Sequence, residues 1–444
     1  MVLRSARGQS PDPSSRISRG GCPMMYPKVA HPQLILADRI FDGVDGRARE
    51  GQAVLVSGDR IDSVGDVEAL SKECPHGTVE VHLEGTTLTP GLIDGHTHLS
   101  LAGDGRSYDE MFSESDEMMV VTGAMNMMKH LNAGITTIRE HGARNRVGFA
   151  LKEGLGRGYI PGPRMLVSGR PITCTGGHFN FCNEVADGEH EIRQSVRRLV
   201  HEGADYIKIM ASGGGTRGTI PGRASYTTDE LHAAVHEAKH YARTTAAHCR
   251  AKESMVNAVK AGIDLMEHAE FLDPDDEMRF DPHLAEMMAE SGIWISPTLQ
   301  AWTKYPRIVE LRNQRDLGAL SHDGEMELQQ LEARAEVRLD VMRKLMEYDI
   351  KDRVVPGTDS GVGILAFGHL DYDLELLVQV GFTPAEALLS ALRISADAVG
   401  LSDEIGTIEK GKVADLVAFQ GDPTKDIEAT GRVEAVYQGG VRLR

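Results

Sequence analysis

Residues 92–98, Leu92-Ile93-Asp94-Gly95-His96-Thr97-His98, pass from a short apolar run straight into two histidines one residue apart. Residues two apart on an extended chain project to the same side, so both imidazoles can face one cation. What gives the stretch its weight is that its apolar start recurs. Strand-like runs alternate with helical stretches along the chain, and eight can be counted: Leu92-Ile93, Ile135-Thr136-Thr137-Ile138, Met165-Leu166-Val167, Tyr206-Ile207-Lys208-Ile209, Thr245-Ala246-Ala247, Asp264-Leu265-Met266, Trp294-Ile295 and Val354-Val355. Such alternation is the signature of βαβ units on a parallel sheet. Eight units favour a closed (β/α)₈ TIM-like barrel over an open doubly wound sheet, and barrel enzymes gather their chemistry at the C-terminal ends of the strands.

Outside this α/β segment the texture changes. Short β-type runs separated by turns fill the stretch before it (Leu34-Ile35-Leu36, Ala53-Val54-Leu55-Val56, Arg60-Ile61-Asp62-Ser63-Val64, Val79-Glu80-Val81) and return only near the end, in 414–419 and 433–437. Residues 31–88 and 403–444 are therefore expected to form one small β-sandwich domain from both chain ends, with the barrel at 89–402. Residues 1–30, rich in Arg, Ser, Gly and Pro without the apolar core of a secretory signal, are expected to be a disordered N-terminal extension, and Met24 or Met25 is an alternative start. Within the barrel, Thr227 and Thr383 each stand three residues before a Glu, the spacing of a capping box, and Met326 to Tyr348 read as one long charged helix, a candidate lid or oligomer contact.

Composition limits the function classes. Among 444 residues, 48 Lys and Arg face 66 Asp and Glu, a net charge of −18 that repels nucleic acid and anionic membranes. No run approaches the roughly 18 apolar residues of a membrane helix. Five cysteines, without a Cys-x-x-Cys pair, write neither a disulfide framework nor a thiolate zinc site, which suits a reducing cytoplasm. The expected partner is a small-molecule substrate, with the chain acting as a homo-oligomer.

Six residues fall in or at the ends of strand runs. His96 and His98 follow the first. Lys208 lies inside the fourth, where it either extends to the barrel mouth or, with CO₂ added to its amine, becomes an anionic carbamate able to bridge two cations; a free buried ammonium is costly. His248 ends the fifth run and His268 the sixth: each alone suits a histidine bonded to a loop carbonyl, and together they supply an imidazole pair for a second metal. Asp359, in Pro356-Gly357-Thr358-Asp359-Ser360, is either a helix cap or a metal ligand and proton carrier. His232, His236 and His240 share one face of a helix outside the barrel and are not expected to bind metal.

From about Leu34 to Gly440 the chain resembles the amidohydrolase superfamily, most closely its imidazolonepropionase-like and Xaa-Pro dipeptidase (prolidase) branch. The resemblance rests on Thr89-Pro90-Gly91-Leu92-Ile93-Asp94-Gly95-His96-Thr97-His98, Lys208 with Ser212-Gly213-Gly214, Ala247-His248, Glu267-His268, Pro356-Gly357-Thr358-Asp359 and the tail 405–416. It implies that His96, His98 and Asp359 hold one metal, His248 and His268 the other, and carboxylated Lys208 bridges them, the metal being usually zinc. Imidazole and oxygen donors alone suit Zn²⁺ but also Co²⁺, Mn²⁺ or Fe²⁺. It further implies a catalytic histidine at His178, near the substrate carbonyl, and substrate-carboxylate contacts at Tyr226, Arg217 and Arg223.

The chain departs from the branch at Ala269, where many relatives carry Gly, and at Phe179-Asn180-Phe181, an unusually aromatic loop. The expected activity is hydrolysis of a C–N bond by a metal-activated water, on a dipeptide or N-acyl amino acid. Phe179 and Phe181 as substrate-pocket walls open the alternative of an aromatic amide, carbamate or phenylurea-type compound. A non-catalytic scaffold of the same fold is the rival of another class, and it is expected to have lost ligands that this chain keeps.

Overall fold

In the computed structural model, which describes residues 31–444, the chain is an α/β protein with three sheets. The expected extension, with Cys22, Met24 and Met25, lies outside the described residues. The first sheet draws on both chain ends. It contains β1 (Gln33–Phe41), β2 (Ala48–Arg49), β3 (Gln52–Ser57), β4 (Arg60–Asp66) and β5 (Val79–Pro90). The other strands of the fold are β6 (Leu92–Thr97), β7 (Ile135–Glu140), β8 (Arg164–Val167), β9 (Tyr206–Met210), β10 (Thr244–Ala251), β11 (Leu265–Leu272), β12 (Trp294–Ser296), β13 (Leu416–Gln420), β14 (Val433–Gln438) and β15 (Val441–Arg442). The hydrogen-bonded order β15-β14-β13-β5-β1-β3-β4, with β2 beside β1, joins the two termini in one sheet of eight strands.

Alternation along these strands decides what each face covers. Leu416 and Ala418 turn into a small core with Ile35, Val54 and Leu88, whereas Val417 and Phe419 join the large core beneath the helices. Leu34, Ala53 and Leu55 point the other way, onto Leu70 of the helix Val67–Glu73.

The remaining strands are parallel and fall into two sheets, β6-β7-β8 and β12-β11-β10-β9. They are buried on both faces, as strands flanked by helices must be: every residue of β7, β9 and β11 is buried, while β1 and β4 keep partly exposed positions. Single parallel bridges lie across the gaps, Ile172 with Ile209, Ile295 with Val354, and Thr97 with Ser360. The eighth apolar run, Val354-Val355, is therefore present as bridging backbone rather than as a strand. Its approach to β6 is close: a Cβ on Gly357 would lie 2.6 Å from Cβ of His96, so only glycine fits there. Asp94 clamps the same two segments, its Oδ1 accepting from the backbone N–H of His96 and of Thr358 at 3.0 Å each, and its Oδ2 from Thr358 Oγ1 at 2.7 Å.

Both Thr–Glu spacings form reciprocal capping boxes, on the helices Thr228–His240 and Pro384–Leu389. The long charged helix spans His322–Met346 and is capped by Ser321. Its buried Arg338 reaches inward to donate to the carbonyls of Ala269 at 2.9 Å, Pro297 at 3.1 Å, and His268. Those of His268 and Ala269 belong to the bend within β11, where the two residues have φ of 67° and 50°. A position that suits glycine thus keeps a left-handed backbone with a Cβ, and Arg338 holds it. Arg338→Met leaves up to three buried acceptors without a donor at roughly 1–3 kcal/mol each, partly offset because a buried charge is no longer required; the expected loss is about 3 kcal/mol, checked by urea unfolding. No helix among the described residues is long and apolar enough to cross a membrane.

Candidate metal centre and pocket

Strands β6, β9, β10 and β11, with the backbone that follows Val354-Val355, bring four histidines, one lysine and one aspartate to the floor of one cavity of about 300 Å³, whose lining includes His96, His98, Lys208, His248, His268 and Asp359. His96 and His98 leave β6 on the same side, as alternation requires. Their Nε2 atoms each lie 3.3 Å from Asp359 Oδ1. Donors about 2.0–2.1 Å from a tetrahedral cation stand roughly 3.4 Å from one another, so this spacing suits a shared ion. The outer ring nitrogens are already engaged: His96 Nδ1 lies 2.7 Å from Glu267 Oε2, and His98 Nδ1 lies 3.4 Å from the Gly142 carbonyl. With protons on those outer nitrogens, both inner lone pairs face Asp359.

The second pair is built the same way. His248 Nε2 lies 3.1 Å from the Gly213 carbonyl and His268 Nδ1 lies 2.7 Å from Thr298 Oγ1. Their remaining nitrogens, His248 Nδ1 and His268 Nε2, are 2.9 Å apart. Two lone pairs at that distance repel unless a proton or a cation lies between them, and a slight opening of the rings makes room for the cation. Burial drives His96, His248 and His268 well below the ordinary histidine range, with nearby positive groups acting in the same sense. Neutral imidazole is the ligand form.

Lys208 lines the same floor as both groups. Its charge acts on His96, His248, His268 and Asp359 alike. The side chain is fully buried, its Nζ has no hydrogen-bond partner among the described residues, and the carboxylate oxygen Glu267 Oε1 is 4.0 Å away. Burial outweighs the attraction of Glu267 and Asp359 and brings its pKa down to about 8. An orphaned amine with a substantial neutral fraction is the form that adds CO₂, and the donor set of the floor fits a pair of cations with a bridging carbamate. Asp359 is set for ligation by a left-handed backbone, φ 54°, a conformation that strains a residue with a Cβ and that clusters at functional sites.

Beneath the floor lies a group whose role the sequence reading does not assign. Glu267, next to His268 in β11, lies within 3.2 Å of His141 Nε2 and within 3.9 Å of Arg139 as well as against His96. His141 follows β7 much as His98 follows β6, so its position after an apolar run is the available signal. Glu267→Gln keeps the shape but weakens the acceptor that orients His96. Metal retention is expected to fall about 10–100-fold in a chelator competition, the usual cost of disturbing a ligand's hydrogen-bond partner.

The walls are apolar and aromatic: Tyr108, Met111, Phe179, Trp302, Val362 and Leu365. Trp302 donates to Thr298 Oγ1 at 3.1 Å and packs edge-on to His268. His178 also lines the pocket, with its ring 4.7 Å from that of His248 and its Nδ1 2.7 Å from Thr216 Oγ1. Gly214 passes so close to His178 that a Cβ would lie 2.5 Å from the ring. Phe181 stands behind Phe179, 5.2 Å between ring centres, rather than on the wall.

The structure does not bring the expected carboxylate contacts to this cavity. Tyr226 is buried in the large core, its hydroxyl spent on the Ala186 carbonyl at 2.8 Å, and Arg217 and Arg223 are exposed away from the lining. Tyr108, Arg106, Trp302 and Lys304, which do line it, come from irregular loops and helix ends without periodic pattern. His232, His236 and His240 take no part in the cavity lining.

The sequence model of the Amidohydrolase family matches residues 87–443. Among curated proteins the chain is similar to ochratoxinase of Aspergillus niger, 27% identical over 443 residues, covering 92% of this chain and 85% of that protein. It is also similar to imidazolonepropionase of Geobacillus sp. (strain WCH70), 22% identical over 397 residues, covering 83% and 84%. Among solved structures, a Xaa-Pro dipeptidase with bound methionine in the active site superposes with a TM-score of 0.76 at 24% identity, over 93% of this chain and 100% of that one. The A. niger ochratoxinase structure gives 0.75 at 25% identity, over 93% and 96%.

Proposed function

Because the chain belongs to the amidohydrolase family and is similar to hydrolases of carbon–nitrogen bonds, we propose that it cleaves an amide or peptide-type bond in a dipeptide or N-acyl amino acid at a pair of divalent cations. The observation that carries the reading is the pairing of two open donor sets, His96, His98 and Asp359 on one side and His248 and His268 on the other, on a floor shared with a buried Lys208 whose Nζ has no hydrogen-bond partner among the described residues. In this reading the two parallel sheets and the bridges between them make up one (β/α)₈ barrel at 89–402, and the sheet of both chain ends, 31–88 with 403–444, curls into the small β-sandwich. Zinc is the first choice of metal, with Lys208 carboxylated. The setting is a cytoplasmic homo-oligomer.

When bound, the cations polarise a carbonyl and lower the pKa of water from about 15.7 toward 7. The chain's own residues do the rest. Burial works to raise the Asp359 carboxyl, but His96 and His98 beside it hold it below the ordinary carboxylate range, so it is ionised and able to accept a proton from water and pass it to the leaving nitrogen. His178 is kept neutral by burial, helped by the charge of Arg250. Thr216 Oγ1 accepts from the Phe179 N–H at 3.1 Å, which leaves its own proton for His178 Nδ1. The ring then carries its proton on Nε2, as a donor for charge developing on the carbonyl oxygen. Walls of Tyr108, Phe179 and Trp302 keep water from the flanking groups and favour, as a second reading, an aromatic amide, carbamate or phenylurea-type substrate.

The test is turnover by the purified, metal-analysed protein of N-acyl amino acids, dipeptides, anilides, carbamates and phenylureas. Hydrolysis of the first two classes is the expected result. Turnover confined to the last three puts the second reading in its place.

A further inference from the structure

Three basic side chains line the pocket, and two of them are committed. Lys208 lies on the floor among the proposed ligands. Arg106 is neutralised by two carboxylates, Asp104 at 2.9 Å and Glu114 at 2.6 Å. The third, Lys304, is exposed, and its ammonium makes no hydrogen bond or ion pair with any described residue.

Its backbone is held in an unusual state. Lys304 joins the helices Leu299–Thr303 and Tyr305–Asp316 with φ 56° and ψ 34°, a left-handed conformation that disfavours a residue with a Cβ. Its carbonyl accepts from the N–H of Arg307 at 3.0 Å and of Ile308 at 3.2 Å, so the second helix fixes the turn in place. Strained positions of this kind occur at ligand clamps, where the surrounding structure determines them. The cation therefore stands at the rim on a stiff junction, two residues from Trp302, which forms part of the wall.

We propose that Lys304 is the residue that recognises the substrate's carboxylate, and that the substrate class is an N-acyl amino acid or dipeptide whose side chain next to the cleaved bond is aromatic or large and apolar. This rests on the hydrolytic reading above and deepens it. Tyr108, Met111 and Phe179 supply the apolar wall, and Lys304 is the lining cation left to meet an anionic end. An ammonium is a point charge with three rotatable donors, without the planar fork of Arg. It selects for negative charge without fixing the orientation of the anion, so a sulfonate in place of the carboxylate is tolerated.

Calorimetric binding of N-methanesulfonyl-L-phenylalanine, which has no acyl carbonyl to cleave, and of its uncharged carboxamide tests the proposal on the metal-loaded full chain and on Lys304→Met, Lys304→Arg and Lys304→Glu. Wild type is expected to bind the acid roughly tenfold more tightly than the amide, in line with one charge-assisted bond near the surface. Lys304→Met binds the two alike, Lys304→Arg restores most of the preference, and Lys304→Glu reverses it. In turnover, the loss in Lys304→Met falls on KM for acidic substrates rather than on kcat, and is larger for acidic substrates than for neutral analogues. A wild type without preference, or a Lys304→Met that retains it, overturns the assignment. If wild type prefers the acid yet cleaves no member of the panel, the recognition stands and the hydrolytic reading falls.

Discussion

Asp359→Asn is expected to lower kcat by about 10²–10⁴-fold while the protein keeps much of its metal. The amide still offers an oxygen between His96 Nε2 and His98 Nε2, each 3.3 Å from Oδ1 in the native side chain, so ligation survives in part. What it loses is basicity, since a carboxamide cannot take a proton from water at neutral pH. The effect belongs in kcat, because proton transfer is made in the transition state rather than on binding, and KM is expected to change little. Steady-state kinetics on whichever panel substrate is turned over, beside elemental analysis of the same sample, separates the two roles. If kcat barely moves while metal is retained, Asp359 is a ligand only.

The second large effect is expected from Lys208. Replacing it by Ala removes the group on the floor that can become a bridging anion between the two donor sets, so the second metal is expected to be lost and activity to fall by on the order of 10³-fold or more. The cavity left by the side chain is the means of rescue: short carboxylic acids such as formate or acetate fit there and present the same two oxygens, and partial recovery of both metal and activity is expected at millimolar concentrations. Stability should suffer less than for most buried truncations, because Nζ has no hydrogen-bond partner among the described residues to leave behind. A circular-dichroism melt of the variant distinguishes loss of the bridge from loss of the fold. Full activity in Lys208→Ala would rule out a bridging role for the side chain.

Much of this arrangement is legible in the chain because its signals are local. The His96-x-His98 spacing acts through strand alternation alone, the Thr227 and Thr383 capping boxes span three residues, and the helix Met326 to Tyr348 announces itself by length and charge before appearing at His322–Met346. The eighth apolar run is less faithfully written. Val354-Val355 joins its neighbours by single bridges, a weaker tie than its apolar character suggests, and the join depends on Gly357 and on Asp94, 264 residues before Thr358.

Partners distant along the chain are the part that periodicity does not reach. Glu267 orients His96 across 171 residues, and nothing in Glu267 itself distinguishes it from a charge at a strand end. Tyr226 shows the converse: its place in the loop after Lys208 suits a substrate contact, but burial of the ring and the bond to Ala186 turn it into core. Trp302 lies on the short helix Leu299–Thr303 and Lys304 at the junction that follows it, where side-chain direction follows from a left-handed backbone that no local pattern announces.

The most direct measurement is the metal content of the full chain after loading with excess Zn²⁺ in bicarbonate buffer and passage over chelating resin. Two tightly held equivalents per chain are predicted, falling toward one in Lys208→Ala. A well-folded wild type that retains one equivalent or none contradicts a binuclear centre, and with it the roles of Lys208 as bridge and of His248 and His268 as ligands to a second metal.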